Sequence, residues 1–408
     1  MNKINLIVRI GLFALILGLG TMTALVVGET QGLALADLSG TPVRVLAPAP
    51  SSDVLYAVLD SSQQPAGIYR SEDKGGTWQR MGRGPDVPVN TLLAHPREDA
   101  FLYAGSASGP ASATTNLWFS FDSGRTWGEP LLKLPGRPDG LLSAVTALAV
   151  DPEQPEALYV GTDGQGVYRF EARAESYGYA LVGGVSLYDA HVKGLLVGPE
   201  GRVYALTSDG LFASDGGAWQ ALPLPEMAAS LAVSPHDGRI LYAGSVSTGV
   251  YRSTDGGQSW EQVNAGLDML PGAALRVTAL EVDEENPYHV VAATSYRLGN
   301  QMTPSSVFES SDGGHSWAKL TEADDVVTQL TLSQGAIYAV GASGLARYGE
   351  PIDHAVAASS TRSWAWLPSL GRLGNPSGIQ VLILVLTVAL AGLVLVGRTE
   401  WILKKNEA

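Results

Sequence analysis

A serine stands two residues before an aspartate, with a glycine two residues further on, at Ser71 and Asp73, Ser120 and Asp122, Ser253 and Asp255, and Ser310 and Asp312. A hydroxyl and a carboxylate at that spacing suit either a cation or the backbone donors of their own turn. A calcium loop supplies a longer string of oxygen ligands than a D-x-G run offers, so the turn role is the one expected. Paired carboxylates occur as Glu284-Glu285 and Asp324-Asp325. Neighbours on a strand point to opposite faces, so neither pair makes an acid/base dyad by itself. The six histidines are scattered without ligand spacing. The chain has no cysteine, which excludes disulfides, thiol nucleophiles and cysteine-held metals. No G-x-S-x-G, H-E-x-x-H or G-x-x-x-x-G-K run occurs. The expectation is no catalytic residue, no metal and no cofactor.

The serine–aspartate pairs belong to a longer pattern. Residues 71–78, 120–127, 253–260 and 310–317 all read S-x-D-x-G-x-x-W. Gly75, Gly124, Gly257 and Gly314 hold the fifth place, and Trp78, Trp127, Trp260 and Trp317 hold the last. A shortened copy at 214–219 keeps Asp215 and Trp219. The glycine suits a backbone position with φ > 0. The tryptophan offers a large ring to pack between sheets and one N–H that needs a partner.

Apolar runs recur around these boxes. Leu102-Tyr103-Ala104-Gly105, Leu158-Tyr159-Val160-Gly161 and Leu241-Tyr242-Ala243-Gly244 are copies of one strand; Gly67-Ile68-Tyr69-Arg70, Gly166-Val167-Tyr168-Arg169 and Gly249-Val250-Tyr251-Arg252 are copies of the next. A full unit reads as strands a, b and c, a box, then strand d, which is one four-stranded propeller blade. Successive box aspartates lie 49, 93, 40 and 57 residues apart, the second interval spanning two units. A boxless unit beginning near Ala144 and a last one over 326–348 bring the count to seven. Residues 43–350 then give 44 per blade, inside the usual range of about 40–50. The fourth strand of the last blade is expected from 33–38 or from 363–367.

The pattern resembles the Asp-box (BNR) repeat of sialidase-like β-propellers, which implies an all-β, seven-bladed β-propeller. Sialidases of that kind carry an arginine triad for the substrate carboxylate, an early R-I-P run and a Tyr–Glu pair with an aspartate. No R-I-P run occurs here, and Arg70, Arg169 and Arg252 repeat at equivalent strand ends, as scaffold residues do. Tandem-propeller xyloglucanases also use the box, but they need two propellers and this chain has room for one. A weaker likeness, to single-propeller assembly factors such as that of photosystem II, implies a protein-interaction scaffold, an assembly factor or an accessory subunit of a membrane complex. The alternative is a surface glycan-binding protein or glycoside hydrolase.

The two ends suggest a membrane. Residues 379–397 hold no charge and one glutamine. At about 1.5 Å per residue they reach about 28 Å, against a hydrocarbon core of about 30 Å. Arg398, Lys404 and Lys405 follow, as expected of a cytoplasmic end. Residues 10–27 are apolar and follow Lys3 and Arg9, which suits a signal peptide or an uncleaved anchor. Their length favours the anchor; Ala34-Leu35-Ala36, a small-x-small cleavage signature, favours the signal peptide. The expected order is a signal peptide or anchor at 1–36, the propeller at 37–350, a linker at 351–378, a transmembrane helix at 379–397 and a cytoplasmic tail at 398–408. The formal charge is −14; the first 28 residues carry +2 and the last 11 carry +1, which leaves −17 on 29–397. Nucleic acid is therefore excluded as a partner. The membrane itself, other membrane or extracytoplasmic proteins, and glycans remain, with the propeller outside the cell.

Loop length points to a working face. In a propeller the b–c and d–a loops share one face and the a–b turns and boxes share the other. The loops 60–67, 106–116 and 295–306 (b–c) and 134–142 and 266–274 (d–a) are long, and extra length concentrates where function does. Within 295–306, Tyr296, Arg297, Asn300 and Gln301 are the candidate partner contacts, since tyrosine and arginine are frequent interface hot spots.

Overall fold

The computed structural model describes residues 34–349, apart from 36–37, 39, 60–66, 82–84, 86–87, 108, 111–115, 130–133, 135–140, 174–177, 185–186, 188 and 300. The compact unit Leu33–Asp353 holds the sheets, and the remainder of the chain lies outside the described residues. No helix occurs among the described residues, and none there is long and apolar enough to cross a membrane. The expected segments 10–27, 351–378 and 379–397 lie outside them.

The sheets are seven antiparallel blades. Their first strands are Val43–Pro48, Val89–His95, Val145–Val150, Val192–Val197, Ala228–Val233, Ala274–Val282 and Val327–Ser333. Each packs beside the first strand of the next blade, and the seventh packs on the first, so the ring closes around a central axis. The all-β, seven-bladed propeller expected from the repeats is the fold that forms.

The second strands explain the continuous apolar runs. Leu55–Leu59, Ala157–Thr162, Val203–Thr207, Leu241–Ser245 and Ala336–Gly341 are buried at every position. Each is paired on both edges and covered on both faces by neighbouring blades, so neither face needs polar residues. The core is accordingly divided into clusters between successive blades. One joins blade seven to blade one through Tyr338, Val340, Leu46, Tyr69 and Trp78.

The glycine that ends several of these strands is required by that packing. A Cβ on Gly105, Gly161 or Gly244 would lie 2.3, 2.6 or 2.7 Å from the next blade's Val145, Val192 or Val277. The valine of one blade fills the place of a side chain on the other. Gly161→Ala is therefore expected to cost about 1–3 kcal/mol through overpacking, read as a lower thermal midpoint. An unchanged midpoint would mean that blades three and four do not meet this closely.

Ring closure differs from expectation. Ala34–Leu35 pairs with Trp78–Arg80 on the outer edge of blade one, which becomes five-stranded, while blade seven has three strands among the described residues. The segment 33–38 thus does not supply blade seven's fourth strand, and 363–367 lies outside the described residues. The outer edge of Trp78–Arg80 is open to it, and Leu38 is then buried between blades seven and one. The two residues of that strand also belong to the small-x-small run at 34–36. Side chains complete the closure: Gln329 accepts from the Leu46 N–H at 3.0 Å and donates to the Leu46 carbonyl at 2.7 Å. Tyr338 donates to the Lys74 carbonyl at 3.1 Å.

Candidate functional site

Each box folds as one turn around two side chains. The Ser71 hydroxyl accepts the Gly75 N–H at 2.8 Å and donates to Asp73 at 2.7 Å. The Asp73 carboxylate accepts both the N–H and the hydroxyl of Thr77 at 2.7 Å. Ser120, Ser253 and Ser310 make the same bonds to Gly124, Gly257 and Gly314, while Asp122, Asp255 and Asp312 hold Thr126, Ser259 and Ser316. The seventh place is thus a hydroxyl in all four boxes. The signal was present as Thr, Thr, Ser and Ser, but the pattern S-x-D-x-G-x-x-W leaves it unread. The four glycines have φ between 84° and 88°, where only glycine is unstrained. Hydrogen bonds from Ser259 and Ser253 pull the Asp255 carboxyl down to about 2, and those from Ser316 and Ser310 do the same for Asp312. The serine hydroxyl and both carboxylate oxygens of each full box thus serve the turn itself.

The box tryptophans lie between blades. Each packs against the preceding blade; Trp78 and Trp317 are buried, whereas Trp127, Trp219 and Trp260 are half-buried. Trp78, Trp127 and Trp260 donate to the carbonyls of Gly75, Gly124 and Gly257 at 3.0, 3.1 and 3.1 Å. Trp317 reaches into the preceding blade instead, donating to the Val263 carbonyl at 2.8 Å. In the shortened copy, Ser214 bonds the Gly217 carbonyl at 3.0 Å and Asp215 pairs with Arg202 at 3.3 Å.

The repeated arginines lie over the tyrosines of the second strands. Arg70 stands 6.0 Å from the Tyr56 ring and Arg169 stands 5.9 Å from Tyr159. Arg347, not singled out in the sequence, takes the same cross-strand place over Tyr338 in blade seven, and in blade four Arg202 reaches Tyr204 from the start of the second strand itself. Tyr56, Tyr204 and Tyr242 then donate to carbonyls of the next blade, those of Asp99, Gly238 and Gly313. Within each fully boxed blade, the box's fourth residue donates its N–H to the a–b turn or the start of the second strand: Lys74 to Asp53, Ser123 to Ala100, Gly256 to Arg239 and Gly313 to Tyr288. The box face is stitched to itself, both within blades and between them.

The opposite face is built differently. The Ser106 end of the b–c loop of blade two is joined by Gly109–Pro110, which pairs with Leu141–Leu142 of the following d–a connection. In blade six the expected loop at 295–306 is a hairpin, because Val290–Leu298 and Gln301–Ser310 continue pairing to Leu298↔Gln301. Tyr296 is correspondingly not a free loop residue. It packs half-buried against the blade five–six core, and its hydroxyl donates to the Asp268 carbonyl. Arg297 is exposed and bonds the Gly299 carbonyl at 3.2 Å. Gln301 lies on the returning strand, and Asn300 lies outside the described residues. Beside the hairpin is an open cavity of about 700 Å³ lined by Asp268, Met269, Leu270, Tyr296, Lys319 and Glu322, with Lys319 2.5 Å from Asp268. Among the described residues the exposed large apolar side chains are Leu141, Met227, Met269 and Leu270, all on d–a connections, and Phe121 and Tyr288 on the box face. No group of histidine, aspartate and glutamate suited to a metal ion occurs among the described residues.

These features define a single seven-bladed propeller with an open, partly apolar face and a self-bonded opposite face. Residues 140–366 match the family described as the DUF6242 beta propeller domain, and the chain belongs to it. No curated protein matches the chain. Solved structures similar in fold include the GH74 xyloglucanase from Xanthomonas campestris, at 17% identity and a TM-score of 0.58, covering 77% of this chain and 53% of that one. This chain thus spans about half of that enzyme's length. YCF48 bound to D1 peptide is similar at 15% identity and a TM-score of 0.56, covering 79% of this chain and 96% of that one. YCF48 from Cyanidioschyzon merolae is similar at 13% identity and a TM-score of 0.52, covering 77% and 97%. At such identities the likeness is one of fold.

Proposed function

We propose that this chain is a membrane-anchored, extracytoplasmic propeller that acts as a protein-interaction scaffold, assembly factor or accessory subunit of a membrane complex. The observation that carries this reading is the unequal character of the two faces. The box face spends its serine hydroxyls and aspartate carboxylates on its own turns and exposes the single rings Phe121 and Tyr288, whereas the d–a connections expose Leu141, Met227, Met269 and Leu270, two of them adjacent. Methionine-bearing apolar surface is adaptable and common where proteins bind partners. The box turns support membership of the wider Asp-box group, in which the motif is a fold element. The apolar run at 379–397 with its basic tail supports the anchor and its orientation. The fold's nearly full-length likeness to YCF48, whose structure was solved with a D1 peptide, is compatible with a polypeptide partner.

Two measurements test this. Protease added outside intact cells or spheroplasts should degrade the propeller; protection would overturn the orientation. The full chain, purified in detergent, should retain a protein partner that is lost when Met269 and Leu270 are both changed to Ser, with little change in thermal midpoint. Full retention by that variant would remove the d–a face as the binding surface.

A further inference from the structure

Each box covers the blade before it, and the cover can be followed at one position. Three residues after the box tryptophan stands an apolar side chain: Met81 in blade one, Leu222 in blade four, Val263 in blade five and Leu320 in blade six. Met81, Leu222 and Val263 are buried, and each lies against the box of the next blade. A Cβ on Gly124 would lie 3.7 Å from Met81, and one on Gly257 would lie 2.6 Å from Leu222. Trp317 donates to the Val263 carbonyl at 2.8 Å. Leu320 is only half-buried.

Blade seven follows Leu320 and carries no box among the described residues. Its third strand, Gly344–Tyr348, pairs with no strand on its outer edge there, and no position after Gly344 is buried. The boxed blades instead end that strand on a buried serine: Ser71, Ser120, Ser214, Ser253 or Ser310. Leu320, Ala323, Leu332 and Tyr348 are the half-buried side chains packed on the core between blades six and seven. Leu345 is half-buried against the core between blades seven and one. These half-covered side chains flank both faces of one edge, and an open edge offers a row of backbone N–H and C=O groups to an extended segment. Blade one already seats Ala34–Leu35 on its own outer edge.

The chain beyond Tyr348 has the side chains to cover this edge. Residues 363–367 read Ser-Trp-Ala-Trp-Leu, and 349–362 give ample length to turn back. The family match runs on to 366, past the third strand of blade seven. On a strand, Trp364 and Trp366 share one face and Leu367 takes the other. Blade one supplies the register. Its pairs Tyr69↔Arg80 and Arg70↔Gln79 put Trp78 opposite Ser71. Tyr348 holds the place of Ser71, because Arg347 lies over Tyr338 as Arg70 lies over Tyr56.

We propose that residues 363–367 form the fourth strand of blade seven, antiparallel to Gly344–Tyr348, with Trp364 opposite Tyr348 and Trp366 opposite Ala346. Both rings then lie on the blade six side, over Leu320 and Tyr348. Ala346 is exposed and leaves room for the Trp366 ring. Leu367 falls on the blade one side, beside Leu345. Gly344–Tyr348 runs from the b–c turn toward the box side, so the added strand ends on the opposite side. The chain then leaves the propeller on the face that carries Met269 and Leu270.

The chain has no cysteine, so introduced pairs can be read without background. In the full chain in detergent, Ala346→Cys with Trp366→Cys should form an intramolecular disulfide under mild oxidation, because directly opposed side chains on paired strands come within reach of one. Mass spectrometry of the tryptic peptides reads it. Ala346→Cys with Ala365→Cys should form far less, since Ala365 points to the other face. Leu345→Cys with Leu367→Cys gives the same reading should the first pair fold poorly. Trp364→Ala should lower the thermal midpoint by about 5 °C or more, whereas Trp401→Ala should leave it unchanged. Failure of both opposed pairs to cross-link, or equal cross-linking by the mismatched pair, would overturn the proposal. So would an unchanged midpoint in Trp364→Ala. A disulfide between two chains would assign the edge to a second copy and overturn it too. None of these outcomes bears on partner binding by the d–a face, which the Met269 and Leu270 variant tests separately.

Discussion

Trp78→Ala is expected to be the most damaging of the box substitutions, costing about 3–5 kcal/mol. The ring is 1% exposed and lies between blade one and blade seven, where it packs with Leu46, Leu55, Tyr338 and Val340. Its removal leaves a cavity in the interface that closes the ring and deprives the Gly75 carbonyl of its indole donor. A propeller's first and last blades are joined only by packing and a few hydrogen bonds, so this interface has no covalent connection to compensate. Trp260 occupies the same place in its box but is half-buried against blade four. Its replacement should cost clearly less. Thermal unfolding of the two variants decides the matter: equal losses would mean that ring closure has no special dependence on Trp78.

The second large effect concerns Glu281 and pH. At the corresponding place in their first strands the other blades carry Ala47, Leu93, Ala149, Leu196, Ala232 and Thr331. Only blade six puts a carboxyl there. Burial pushes Glu281 up to about 8 from an ordinary 4.5, and repulsion from Glu284 adds to it. A carboxyl with a raised folded-state pKa holds its proton more tightly when folded than when unfolded. Its contribution is therefore fully present below about pH 4.5 and is lost as pH rises toward 8. Glu281→Gln, which keeps the shape and removes the titration, should raise the thermal midpoint at pH 8 and leave it nearly unchanged at pH 4.5. One pKa unit corresponds to about 1.4 kcal/mol; since the side chain keeps partial exposure, about 1–3 kcal/mol is expected at pH 8. Parallel curves for the two proteins from pH 4.5 to 8 would show that Glu281 ionises without penalty.

Features whose partners lie within a few residues could be read from residue order. A box is eight residues long, and its serine, aspartate and glycine bond one another, so the repeat was readable as turns and the turns as blades. Blade number followed from the box spacing together with the strand runs of the two boxless units. Arg70 and Arg169 were readable as scaffold because each faces a recurring tyrosine on the adjacent strand of its own blade.

Tertiary structure decided what depends on register and on neighbours distant in the chain. The 295–306 segment reads as a polar loop, but cross-strand pairing continued through it and drew Tyr296 back against the core. The N-terminal segment joined blade one because that blade's outer edge lay open beside it, a fact no spacing records. The burial that separates Trp78 from Trp260 depends on which blade precedes each box. Arg44, Lys193 and Thr328 carry no common motif and are separated by more than a hundred residues. They become equivalent only because each first strand carries a β-bulge at the same rung, and the closed ring brings those rungs around one axis.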